Sequence, residues 1–227
     1  MSHARSTILS HVQTSLGRDN GTLPQSIRNA LEERLSSPPT AVRPAMPEKD
    51  LTQRFITKLE TVAGTVVRVP DLTAVPPAIV RHLDQHGLPY QLVATRDPTI
   101  ENIPWLEIAP KEVTLHHGAA TRTDRVSLTS AFAAIAETGT LVLVSGNRTP
   151  TTLNFLPEDH IVILLEDQIL PYMEDAWKKI RAAFTSPPRT INFITGPSRT
   201  GDIEQTMQLG VHGPRHLTVI LVAHRIP

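Results

Sequence analysis

Apolar residues recur at helical spacing in two short stretches at the start of the chain. Ile8, Val12 and Leu16 form one set; Ile27, Leu31 and Leu35 form the other. This spacing predicts two short helices within residues 1–36. Pro38, Pro39, Pro44 and Pro47 follow. Proline lacks the N–H that both helix and strand ladders use, so 37–48 reads as a linker. Residues 1–48 are therefore expected to be a helical arm that packs on the rest of the chain or on another subunit.

From residue 49 the pattern changes. Leu51, Phe55, Ile56, Leu59 and Val62 make a helical stripe that Gly64 stops, and Thr65–Val69 reads as a strand. Pro76–Gln85 reads as a helix ended by His86-Gly87, and Tyr90–Val93 as a strand. Leu106–Ile108 is a candidate short strand and Val113–Leu115 another. Leu128–Ala136 has helical spacing. Leu141–Val144 and Ile161–Leu165 read as strands, Pro171–Phe184 as a helix and Thr190–Ile194 as a strand. A short helix is expected from about Gly201 to Gly210, then a last strand over His216–Ala223. Strands alternate with helices, and several strands are unbroken apolar runs. Both features predict an α/β domain over 49–227, with a mostly parallel sheet covered by helices.

Composition narrows the function. Lys+Arg and Asp+Glu stand at 22 each among 227 residues, so no nucleic acid or anionic membrane is expected as partner. Cysteine is absent, which removes disulfides, thiolate-held iron–sulfur clusters and a Cys nucleophile. The start, MSHARSTILSHVQTSLG, lacks the apolar segment of a signal peptide, and no run approaches the roughly 18 apolar residues of a membrane span. A cytoplasmic chain without a resident metal or cofactor is the expectation.

The most informative stretch is Ile194-Thr195-Gly196-Pro197-Ser198-Arg199-Thr200-Gly201-Asp202-Ile203-Glu204. A strand running into Gly196, with Ser198, Arg199 and Thr200 before a helix start, suits an anion. Arg199 can fork onto a carboxylate or phosphate. Alternatively, Ser198 or Thr200 only caps the helix, and Asp202 and Glu204 complement its dipole. The glycine spacing resembles a phosphate-binding P-loop, but Asp202-Ile203 stands where Lys and a hydroxyl residue belong. A second loop, Ser145-Gly146-Asn147-Arg148-Thr149-Pro150, offers similar chemistry, with Thr149 as N-cap and Pro150 as first helical residue. If the two loops are close, Arg148 and Arg199 could grip one ligand; otherwise both are ordinary turns.

In the turn Glu137-Thr138-Gly139-Thr140, Gly139 reads as a helix C-cap. Glu137 is either a satisfied structural acid or a general base or nucleophile. His212, between loop glycines, is an acid/base candidate or merely solvated. His82 and His86 have metal-compatible spacing on a helix without a zincin signature, so a solvated face is the simpler reading. His116 and His117 point to opposite faces of a strand.

Four motifs occur in order: Ala134-Ile-Ala-Glu-Thr-Gly-Thr-Leu-Val142, Leu156-Pro157…His160-Ile161, Gly196-Pro-Ser-Arg-Thr-Gly-Asp-Ile-Glu204 and Gly210-Val-His-Gly-Pro214. Together they resemble the lactate-utilisation protein C family, the stand-alone form of the LUD domain, over roughly residues 50–225. Ser130, Phe132 and Gly201 depart from residues common in that family. The resemblance implies a fold related to sugar-phosphate isomerases and CoA transferases. It also implies a role beside two iron–sulfur partner proteins in oxidising L-lactate to pyruvate. On this reading Glu137 is the catalytic candidate. Thr138, Gly139, Thr140, Arg148, Gly196, Ser198, Arg199, Thr200, Asp202 and His212 would line a site for a small anionic carboxylate or phosphate. The rivals are a self-contained acyl, CoA or folate-type transferase or ligase using Glu137, and a non-catalytic assembly subunit. A homodimer stays open.

Overall fold

The computed structural model describes residues 3–17, 23–37, 42–46, 50–105, 113–201, 207–209 and 213–223. The contacts divide the chain into two units, Met1–Pro44 and Ala45–Pro227. The first unit holds helices α1 (His3–Ser15) and α2 (Gln25–Ser36). Their apolar stripes stay exposed: Ile8, Val12, Ile27, Leu31 and Leu35 are all open to solvent.

The second unit begins with α3 (Leu51–Thr61), whose N-cap Asp50 accepts from the Gln53 N–H at 3.0 Å. The helix buries Phe55, Ile56 and Leu59, roughly 1.5–3 kcal/mol for each full burial. It ends where the Gly64 N–H donates to Leu59 O and the Ala63 N–H to Glu60 O, both at 3.0 Å. This is a Schellman stop with an alanine at φ +66° in the place that favours glycine. Strand β1 (Thr65–Val69) follows, then α4 (Val75–His86), which carries Pro in its first turn and ends on left-handed Gly87.

The remaining elements are β2 (Gln91–Ala94), α5 (Pro98–Glu101), β3 (Thr114–His117), β4 (Val126–Ser130), β5 (Ala133–Ile135), β6 (Thr140–Val144), β7 (Asp159–Leu165), β8 (Ile169–Leu170), α6 (Met173–Ala183), β9 (Ile191–Ile194), β10 (Arg199–Gly201), β11 (Met207–Leu209) and β12 (His216–Val222). Among the described residues, six strands form one sheet in the order β1-β12-β7-β4-β2-β3, and every pairing in it is parallel. A second sheet runs β8-β5-β6-β9.

Both faces of the parallel sheet are covered, which explains its unbroken apolar strands. Ile161 and Ile163 of β7 pack with Val75, Ile79 and Leu83 of α4. Val162 and Leu164, pointing the other way, pack with Phe55 and Leu59 of α3 and with Ala134 and Leu141 of the second sheet. The far face of the second sheet, through Ala133, Ile135 and Val142, meets Ala176 and Ile180 of α6. The α/β expectation holds.

Two elements differ from the sequence reading. Leu128–Ala136 is not a helix: it holds the end of β4 and all of β5, where the chain passes from one sheet to the other. Ala131, Ala133, Ala134, Ile135 and Ala136 are all buried because layers lie on both sides, so the period-two alternation that marks a half-buried strand never appears. Gly139 therefore caps no helix; it sits in the β5–β6 turn. The helix expected from Gly201 is also replaced: Arg199–Gly201 and Met207–Leu209 pair as antiparallel strands. Leu106–Ile108 lies outside the described residues.

Candidate functional site

A cavity of about 250 Å³ opens beside the amino ends of β7 and β12. His160 and Leu217, paired in register on these strands, form part of its wall. Asn154 and Phe155 come from the end of a 3-10 turn over Thr151–Asn154, which Ser127 Oγ holds by donating to Leu153 O at 2.7 Å. The segment Thr195–Ser198, leaving β9, closes another side together with Gly213 and Pro214. The Ser198 N–H donates to Pro214 O at 2.9 Å and joins these two loops. Gly196 has φ +80°, and a Cβ there would lie 2.6 Å from Val62 O. Only glycine lets the loop lie against the end of α3.

His160 is the chemical centre of the cavity. Its side chain is fully buried. Nε2 lies 2.8 Å from Thr129 Oγ1, while Nδ1, equally buried, has no hydrogen-bond partner. Leaving such a group unpaired costs roughly 1–3 kcal/mol, so an unpaired nitrogen at a cavity wall points to a ligand or a water. Burial pushes the imidazole down to about pKa 4, against an opposing pull from Asp159. The ring is therefore neutral at pH 7 and offers a hydrogen bond rather than a positive charge. If the Thr129 hydroxyl donates to Nε2, Nδ1 carries an N–H; if Nε2 donates, Nδ1 presents a lone pair.

The expected site residues divide between this cavity and other places. Gly196 and Ser198 line the cavity. Thr138 and Thr140 connect to it through a hydroxyl chain: Thr138 Oγ1 is 2.6 Å from Thr140 Oγ1, which is 2.7 Å from Thr195 Oγ1 on the wall. Gly139, at φ +69°, packs so closely on α3 that a Cβ would meet Leu59 N at 2.5 Å; its role is packing. Glu137 is half-buried in the same turn, its N–H donating to Pro171 O at 3.1 Å, and its side chain is not part of the cavity wall. Arg199 is exposed on β10 and Thr200 is the next strand residue. No helix N-terminus stands at Arg199–Gly201 to attract an anion. Asp202 and His212 lie outside the described residues.

Arg148 is somewhere else. Strands β6 and β9 are antiparallel, pairing Leu141 with Ile194 and Val144 with Ile191. Loops 145–150 and 195–198 therefore leave opposite ends of the second sheet, and the expected grip of Arg148 and Arg199 on one ligand does not form. Arg148 forms an ion pair with Glu101 instead. Thr149 is not a helix N-cap: its Oγ1 donates to Val144 O at 3.0 Å, and the 3-10 turn starts at Thr151, after Pro150.

The other histidines also rearrange. His82 is buried rather than solvated, with Nε2 2.9 Å from Asp159 Oδ1; His216 Nδ1 lies 3.4 Å from Asp159 Oδ2. His86 remains exposed and its ring lies against both of the other histidine rings. Partial burial and then the neighbouring His82 lower its pKa, Asp159 opposes them, and His216 lowers it further. Among the described residues no group of three or more such side chains has the arrangement a metal ion needs.

Sequence reasoning missed His160, Thr129 and Thr195 as a cluster. The signal was a single imidazole at the head of the apolar run Ile161–Leu165. Only the register, which sets β4 beside β7, reveals the pairing with Thr129.

The LUD-domain family profile matches residues 52–222. Lactate utilization protein C of Geobacillus sp. (strain WCH70) is 42% identical over 103 residues, 44% of this chain and 43% of that protein. The protein of the same name from Deinococcus radiodurans is 36% identical over 124 residues, 52% of this chain and 58% of its own. That from Bacillus subtilis is 39% identical over 103 residues, 44% and 43% of the two chains. The matched segment thus spans about half the length of these relatives. A crystal structure of a DUF162 family protein from Deinococcus radiodurans superposes with a TM-score of 0.59 at 20% identity, covering 78% of this chain and 99% of that one; this likeness speaks to the fold. The profile covers α3 through β12, the elements that build both sheets and the His160 cavity, and the chain belongs to the LUD-domain family.

Proposed function

We propose that this chain is a subunit of a lactate-utilisation system that oxidises L-lactate to pyruvate. On this reading it binds the small hydroxy or keto acid in the His160 cavity. The names of its relatives support the pathway. The observation that carries the site is the buried, unpaired Nδ1 of His160 on the cavity wall. Around it the polar groups of Asn154, Thr195 and Ser198 mix with Phe155, Phe193 and Leu217. That mixture suits a ligand with a hydroxyl or carbonyl at one end and a methyl at the other. A neutral imidazole can orient the ligand hydroxyl or accept its proton.

These 227 residues contain no cysteine. The family resemblance implies iron–sulfur partner proteins as the takers of the electrons leaving lactate, and a Cys-free chain fits that division of labour. The Thr138–Thr140–Thr195 chain would orient the cavity hydroxyls. Glu137 takes no step in this reading.

The test is growth on L-lactate of Bacillus subtilis deleted for its own lactate utilization protein C. The wild-type chain should restore growth, and His160→Ala should fail while accumulating to the same level. Restoration by His160→Ala would remove the cavity from the account.

A further inference from the structure

We propose a second ligand site, for a phosphate group, at the edge of the parallel sheet opposite the His160 cavity. A depression of about 260 Å³ there is lined by Arg96, His117, Gly118, Asn147 and Arg148, with Pro150 at its side. Two guanidinium groups, an imidazole and an amide share one small volume, and no acidic residue lines it.

The place in the fold is independent support. Chain order reverses at β2: β3 pairs on one side of it, and β4, then β7 and β12, build out on the other. Ligands of open parallel sheets sit outside the carboxyl ends of the strands at such a reversal. Arg96 follows the carboxyl end of β2 by two residues, and His117 is the last residue of β3. The 147–150 loop is held over this point because the Arg96 N–H donates to Arg148 O at 2.9 Å. By contrast, the cavity wall residues His160 and Leu217 are the second residues of β7 and β12.

Each polar group has a defined part. Among the described residues Arg96 has no ion-pair partner, so its fork is free for an oxyanion. His117 Nδ1 lies 3.1 Å from Ala94 O, and a carbonyl only accepts. The proton is therefore on Nδ1, and Nε2 is left for the ligand. A phosphate group suits this set: its three or more terminal oxygens can take both guanidinium forks and the Asn147 amide at once. A carboxylate offers only two oxygens, too few for two guanidinium forks and an amide together, which is why the site favours phosphate. Arg148 is held by Glu101 in the free protein. The anion must compete with that carboxylate, so Glu101 tunes the affinity from outside the wall.

Calorimetry of the full chain with inorganic phosphate and with phenyl phosphate tests this. Saturable binding of either supports the site; tighter binding of the ester identifies the phosphate as the end of a larger molecule, and equal binding identifies free phosphate. Arg96→Ala and Arg148→Ala should each weaken binding by about tenfold or more, the loss of one charge-assisted contact. Glu101→Gln should strengthen it by releasing Arg148. No saturable binding at millimolar phosphate, wild-type affinity in both arginine variants, or weaker binding in Glu101→Gln would overturn the proposal. All three side chains are exposed at the surface, so these exchanges leave the core intact.

Discussion

Acid should destabilise this protein through His160 in a way that one substitution can isolate. Burial sets the folded imidazole at about pKa 4, against 6.5 in the unfolded chain. A lowered pKa means that the folded state binds fewer protons than the unfolded state. Stability therefore falls as pH drops below 6.5, and the loss levels off below about 4. One pKa unit corresponds to about 1.4 kcal/mol. Moving from pH 7 to pH 5 should then remove about 2 kcal/mol, and the full loss approaches about 3 kcal/mol. His86, whose pKa partial burial also lowers, adds to the loss in both proteins. The assay is therefore a comparison: urea denaturation of wild type and of His160→Gln at pH 7 and pH 5. The variant should lose about 2 kcal/mol less than wild type across that interval. Equal losses in the two proteins would refute the claim that this ring is buried and neutral.

Three further outcomes follow from the packing. Gly196→Ala should lower stability by about 2–4 kcal/mol in denaturant melts, because it combines a left-handed φ with a Cβ placed 2.6 Å from Val62 O. Ala63→Gly should instead raise stability, by up to about 1 kcal/mol, since Ala63 sits at φ +66° in the Schellman stop after α3. Asp159→Asn should cost about 1–3 kcal/mol, visible as a lower Tm, because it replaces the buried carboxylate that lies 2.9 Å from His82 Nε2. Thr195→Val should leave the Tm nearly unchanged yet weaken L-lactate binding in calorimetry, as it cuts the hydroxyl chain from Thr140.

Much of the frame was legible in the sequence. The stripe Phe55–Leu59, the Pro-rich start of α4 and the apolar runs of β7 and β12 each carry a local signal that the fold keeps. The Leu128–Ala136 segment failed for a physical reason: small residues buried on both faces erase the alternation that distinguishes strand from helix. The Gly201 segment failed because Arg199–Gly201 pairs with Met207–Leu209, a strand pairing that no local pattern in the stretch encodes. At the site, Gly196 and Ser198 were identified from their loop, but glycine at 196 answers to Val62, and glycine at 139 to Leu59. Both are contacts between residues distant in sequence. Arg148 shared its loop chemistry with Arg199 and was paired with it on that ground; the antiparallel β6–β9 register, which no local pattern encodes, separates them. His160 was hidden because its importance lies in what its Nδ1 lacks.

The most direct test of the site is nitrogen-detected NMR of the His160 imidazole while L-lactate is added. Nδ1 should start with the signature of an unpaired ring nitrogen and shift saturably as ligand binds, with Nε2 held by Thr129. A ligand that binds by calorimetry while the Nδ1 resonance stays fixed would place the lactate site somewhere other than this cavity.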